Sequence, residues 1–114
     1  MNAEYEALRD DLMKTDIPFA EYGWNTRPDA DCYGVISLEF EADSLEGDNV
    51  KKDRAWEGSL DLFIRLLSSR DTYIAIVEPL LEKHCDGSWR LNQIQHERDT
   101  GMLHFEWVFQ VGEG

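Results

Sequence analysis

The spacing of apolar positions switches between helical and strand periods along this chain, and the switches divide it into elements. Tyr5, Leu8 and Leu12 recur at helical spacing across residues 2–15, with Asn2 placed to cap the start and Glu4 and Glu6 in the first turn. Asp16-Ile17-Pro18 is expected to end this helix, because a residue before proline is pushed out of the α region. From Cys32 to Glu41 the residues Gly34, Ile36, Leu38 and Phe40 alternate with Val35, Ser37, Glu39 and Glu41, the period of a strand with one apolar face. From Arg54 to Arg65 the residues Trp56, Leu60, Leu62 and Ile64 share one parity, and the two strands are expected to pair antiparallel. Phe19 to Asp31, broken by Gly23 and Pro28, carries too little pattern to count as a strand, although a short edge strand fits within it. The charged stretch 42–53 is longer than an ordinary hairpin loop and is expected to project from the sheet.

Ser68-x-x-Asp71 fits a capping box, and Tyr73, Val77, Leu80, Leu81 and His84 follow at helical spacing, with Gly87 as the stop. Pro79 lacks an N–H and its ring collides with the carbonyl four residues back, which predicts a kinked or broken helix. Trp89–Arg98 and Met102–Val111 then read as a hairpin turning at Asp99-Thr100-Gly101. Its second strand places Leu103, Phe105, Trp107, Phe109 and Val111 in strict alternation, the mark of a central strand buried on that face. A three-residue loop pairs His96 with His104, and a two-residue loop pairs His96 with Phe105. In the first register Ile94, His96, His104 and Val108 share the face opposite the aromatic stripe, which makes them a candidate subunit interface. The reading is one α+β domain over 1–114, in the order α-β-β-α-β-β, with an antiparallel sheet of about four strands and two helices packed on one face.

Composition narrows the function. The formal net charge is −13, of which residues 1–48 hold −10, so phosphate-backbone and anionic-membrane binding are disfavoured. No apolar run reaches the length of a membrane span, and the acidic N-terminus is unlike a signal peptide, which predicts a cytoplasmic protein. Cys32 and Cys85 lie far apart without CxxC spacing and read as reduced, packed thiols. Neither a nucleophile elbow nor a phosphate-binding glycine motif occurs. His96 and His104 could meet across the hairpin, but two histidines without a closing motif do not make a metal site. The reading therefore assigns no catalytic residue, metal or cofactor. Trp56, Trp89 and Trp107 sit within strands and read as core or interface packing.

CYGVISLEFE, RAWEGSLDLFIR, DTYIAIVEPLLEKH and WRLNQIQHERDTGMLHFEWVFQV, in this order after an N-terminal helix, resemble the tail terminator, or minor tail component, family of long-tailed phages and prophages. The acidic turn followed by Leu103-His104-Phe105-Glu106-Trp107 carries most of the resemblance, and FAEYGWNTRPDADC departs from it. The resemblance implies a virion structural protein without an active site, which forms a hexameric ring, stops tail-tube growth and joins tail to head. The implied partners are copies of itself, tail-tube proteins and head-connector proteins. It also implies assembly in the cytoplasm and a final place in the virion tail, with DNA passing through an acidic lumen without specific binding. Asp43, Glu46, Asp48, Lys51 and Lys52 are the candidate partner-contact loop. The alternative is an acidic inhibitor that mimics nucleic acid and occupies the basic groove of a DNA-binding protein.

Overall fold

A computed structural model of the chain describes residues 2–42, 55–65 and 70–112. Helix α1 (Ala3–Met13) leads into strands β1 (Phe19–Glu21), β2 (Cys32–Ala42) and β3 (Ala55–Arg65). Helix α2 (Arg70–Cys85) and the hairpin strands β4 (Trp89–Glu97) and β5 (Met102–Gly112) follow. The strands form one five-stranded sheet in the order β1-β2-β3-β5-β4. The α+β class expected from periodicity holds, but the sheet is mixed and has one strand more than expected. β1 runs parallel to β2, pairing Phe19 with Gly34 and Glu21 with Ile36. The strand was hard to read because only three residues carry it and its main anchor is on another strand. The Phe19 ring lies where a Cβ of Gly34 would be, and the Pro18 carbonyl accepts the Gly34 N–H at 2.8 Å.

Each helix starts and stops for local reasons. Asn2 caps α1, its side-chain oxygen accepting the Tyr5 N–H at 2.8 Å, while its amide donates to the Gly112 carbonyl at 2.8 Å. The helix ends at Lys14, ahead of Pro18. α2 runs through Pro79 as one continuous helix, so the broken form of the sequence expectation does not hold. Pro79 and Ala75, whose carbonyl the proline leaves without an intrahelical donor, are both exposed, so water can serve that oxygen. Asp86 and Gly87 end α2 in the left-handed region at φ 45° and 82°. The capping-box residue Ser68 lies outside the described residues.

Both helices cover the same sheet face. Tyr5, Leu8 and Leu12 of α1 and Val77, Leu81 and Cys85 of α2 are buried against Ile36, Leu60, Leu62, Ile64 and the β5 stripe Phe105, Trp107, Phe109 and Val111. The helices meet through Asp11, whose carboxylate takes His84 Nε2 at 2.7 Å and Lys83 Nζ at 3.2 Å. These two bonds, His84 first, hold the Asp11 carboxyl below its ordinary range. α2 is tied to β5 by the Trp107 indole N–H donating to Glu78 at 3.0 Å. It is tied to β4 by the Trp89 indole donating to Glu82 at 2.8 Å.

Candidate interaction surface

Because side chains alternate across a strand, the parity that fills the core leaves Val35, Ser37, Ser59, Asp61, Glu106 and Val108 on the opposite, open face of the sheet. The register aligns them in rows. Tyr33, Phe63 and His104 are cross-strand partners, and their rings stack in sequence, with centroids 5.0 Å apart for Tyr33–Phe63 and 4.3 Å for Phe63–His104. The next row sets Val35, Asp61, Glu106 and Gln93 side by side. Two bulges add residues to this arrangement. β2 shifts register between Leu38 and Phe40, and β4 shifts between Leu91 and Gln93.

The extra residue in β4 is Asn92, which donates to Glu106 Oε1 at 2.7 Å and accepts from Arg90 at 2.8 Å. The extra residue in β2 is Glu39, whose carboxyl is pushed up by burial and by the facing charges of Asp61, Glu106 and Glu57. Carboxylates on three strands therefore converge on one face, with His104 Nε2 2.7 Å from Asp61 Oδ1 and His104 Nδ1 3.6 Å from Glu97 Oε2. The Asp61 hydrogen bond raises the His104 pKa against the opposing effect of burial. Ser59 donates to the other Asp61 oxygen at 3.0 Å. Asp61 thus stands between serine and histidine, an order that leaves the hydroxyl bonded to a carboxylate and away from the imidazole base. The arrangement sets charge and fixes side chains.

The second part of the surface is the sheet edge. β4 is the outer strand next to β5, so its far side has no strand neighbour among the described residues. Residues 90–96 are all exposed, including Leu91 at 39% and Ile94 at 56%. Leu91 pairs with Trp107 and Ile94 with Phe105, so both stand on the helix-covered side of the sheet. They remain in solvent on the outermost strand.

The hairpin follows neither register drawn from the sequence. Glu97 pairs with Met102, His96 with Leu103 and Gln95 with His104, because the turn spans 98–101 with Gly101 at φ 68°. The candidate interface set of Ile94, His96, His104 and Val108 is therefore divided. His104 and Val108 lie on the open face, whereas His96 and Ile94 lie on the other side of β4. The two histidines do not face each other across the hairpin. Among the described residues no group of three or more histidine, cysteine, aspartate or glutamate side chains is placed to hold a metal. The candidate loop residues Asp43, Glu46, Asp48, Lys51 and Lys52 lie outside the described residues.

The Asp61–His104 pair escaped the sequence reading because it depends on β3 lying beside β5, a long-range pairing that periodicity does not specify. Burial pushes the Cys32 thiol up to about 12, and burial followed by Glu4 and Glu82 does the same to Cys85. Both side chains are packed and un-ionised at neutral pH, in keeping with a structural use. No known protein family and no characterised protein matches the chain. Among the described residues no helix is long and apolar enough to cross a membrane.

Proposed function

We propose that the chain is a structural subunit of a phage or prophage tail, a terminator that assembles as a ring at the head–tail junction. The edge of β4, which has no strand neighbour among the described residues and exposes Leu91 and Ile94, carries the proposal. An edge strand presents unpaired backbone donors and acceptors, and proteins that stay monomeric blunt such edges with lysine, proline, a bulge or a covering segment. β4 contains neither lysine nor proline, and its bulge at Asn92 leaves Leu91 and Ile94 exposed on either side of it. A ring needs a head-to-tail interface in which one surface meets a different surface of the next copy, and an open edge supplies one half of it. The carboxylates on the open sheet face give the acidic charge a place, since such a surface repels DNA phosphate and lets a duplex pass without adhering. Self-association, the tail-tube and head-connector partners and the final place in the virion belong to this proposal.

The same carboxylate face favours a second reading, an acidic mimic that occupies a basic groove. Strong salt weakening of binding to a basic enzyme would mark it. The first reading is tested by light scattering and negative-stain imaging of the protein, alone and with its tail-tube protein. Closed rings of uniform diameter are expected, and the Leu91→Lys/Ile94→Lys double variant should remain folded and monomeric. A wild-type protein that stays monomeric at high concentration in both settings would sink the proposal.

A further inference from the structure

On the helix-covered side of the sheet, α1, β1 and the adjoining ends of β2 and β3 enclose a cleft of about 300 Å³. That volume lies at the small end of the range for ligand pockets. Three of its walls are aromatic, Tyr5, Tyr22 and Trp56, and its other polar residues are Asn2, Glu6, Arg9 and Glu21.

Most of those polar groups are already engaged. Tyr5 donates its hydroxyl to Glu21 Oε2 at 2.5 Å, and burial together with that bond holds the phenol protonated far above the tyrosine range. The other Glu21 oxygen lies 3.6 Å from Arg9, whose guanidinium also binds Asp10 at 3.1 Å. Glu6 differs: among the described residues its carboxylate makes no hydrogen bond or close ion pair, and it acts on Arg9 only through the weakest of the charge interactions that raise the guanidinium pKa.

Tyr22 is the least expected wall. It holds a left-handed backbone at φ 69°, a conformation unfavourable for a bulky side chain. Its N–H donates to the Ile36 carbonyl at 2.9 Å and its hydroxyl to the Leu38 carbonyl at 3.1 Å. The residue is held at its backbone and at its hydroxyl at the cleft mouth although it is 67% exposed. Such strain persists only where the surroundings impose it, and it presents an aromatic surface to solvent.

We propose that this cleft binds a small organic cation with an apolar body, an alkylammonium group. The wall chemistry selects among ligand classes. An anion would face Glu6 and Glu21 against a single guanidinium, Arg9, which is already bonded to Asp10 and lies 3.6 Å from Glu21. A neutral apolar ligand would take the Glu6 charge out of water with only Arg9, which is shared with Asp10 and Glu21, to offset it. A cation pairs with Glu6 and meets the electron-rich faces of aromatic rings, as in the cages that recognise quaternary ammonium. The same chemistry is supplied by a free quaternary amine or by the lysine side chain of a partner protein. The site stands on its own geometry and does not depend on the assembly proposed above.

Amide and indole proton–nitrogen spectra of the labelled full chain, titrated at constant ionic strength, test the proposal. Choline represents the free amine, Nα-acetyl-lysine methylamide the lysine side chain, and 3,3-dimethylbutan-1-ol is the uncharged analogue of choline. The expected result is saturable movement of the Trp56 indole and Tyr22 amide signals by at least one cation, about tenfold tighter than by the alcohol. The tighter cation identifies the source. Glu6→Gln should weaken cation binding severalfold and leave the alcohol unaffected, and Tyr22→Ala should weaken it with the remaining spectrum unchanged. Equal response to the alcohol, no saturable movement up to roughly 50 mM of either cation, or an unaltered response in Glu6→Gln would overturn the proposal.

Discussion

A single histidine links the charge of the open face to stability. His104 is half-buried, stacked on Phe63 and bonded to Asp61, and its folded pKa lies above the ordinary 6.5. A raised folded pKa means that the folded state binds the proton more tightly than the unfolded chain. The resulting stabilisation is complete below about 6.5 and is lost as pH rises through the folded pKa. Urea midpoints should therefore fall across that window, and His104→Gln should flatten this part of the profile. An unchanged profile in the variant would assign the pH dependence to other groups. Gly58 sets a second constraint at this scale. A Cβ there would meet the Phe109 ring and the Ser37 carbonyl oxygen, and the latter is backbone held in the β2–β3 ladder. Gly58→Ala is expected to cost about 1–3 kcal/mol in urea unfolding, the usual range for overpacking a tight interior. Periodicity marked position 58 as belonging to the core-facing parity, but the need for glycine came from ring placement across the sheet.

At the scale of elements, the boundaries written into local sequence were the most legible. Asn2 was visible as a cap, and the structure adds its second bond to Gly112, which joins the first helix to the last strand. Asn2→Ala is expected to destabilise by about 1–2 kcal/mol, more than a cap alone typically contributes, as read by thermal or urea unfolding. Pro79 was legible as an irregularity, while its tolerance was decided by exposure. Because α2 continues through it, Pro79→Ala should stabilise the protein by roughly 1–3 kcal/mol, through a restored helical N–H and the removal of ring crowding. A loss of stability would show that the proline shapes the packing of α2 on β5. The hairpin turn was located by Asp99-Thr100-Gly101, yet a four-residue connection replaced the shorter loops considered. That shift moved His96 away from His104. A one-residue difference in a turn exchanges the faces of an entire strand segment, which is why the candidate interface set divided.

For the whole molecule, charge and the open edge act against each other. A net charge of −13 makes identical copies repel, while the β4 edge and Leu91 and Ile94 favour association. If copies pair through that edge, raising the salt from about 0.05 to 0.5 M shortens the Debye length severalfold and should shift the population toward larger assemblies. Sedimentation velocity at matched protein concentration reads the shift. Dissociation by salt would instead place the dominant interface on charge complementarity.

The sequence by itself determined the local alternatives: two amphipathic helices, four strands, the buried parities of β3 and β5, the turn positions and the acidic character; the bulge at Glu39 turned Phe40 to the other face of β2, and the hairpin register turned Ile94 and His96. Those properties depend on neighbours within a few residues, where period, capping and backbone restriction act. Tertiary structure alone decided that β3 lies beside β5 and that a three-residue β1 closes the other edge. It also decided which polar residues would meet. Asp61 and His104, like Tyr5 and Glu21, are brought together by long-range pairing and packing, whose energy depends on the fit of distant surfaces.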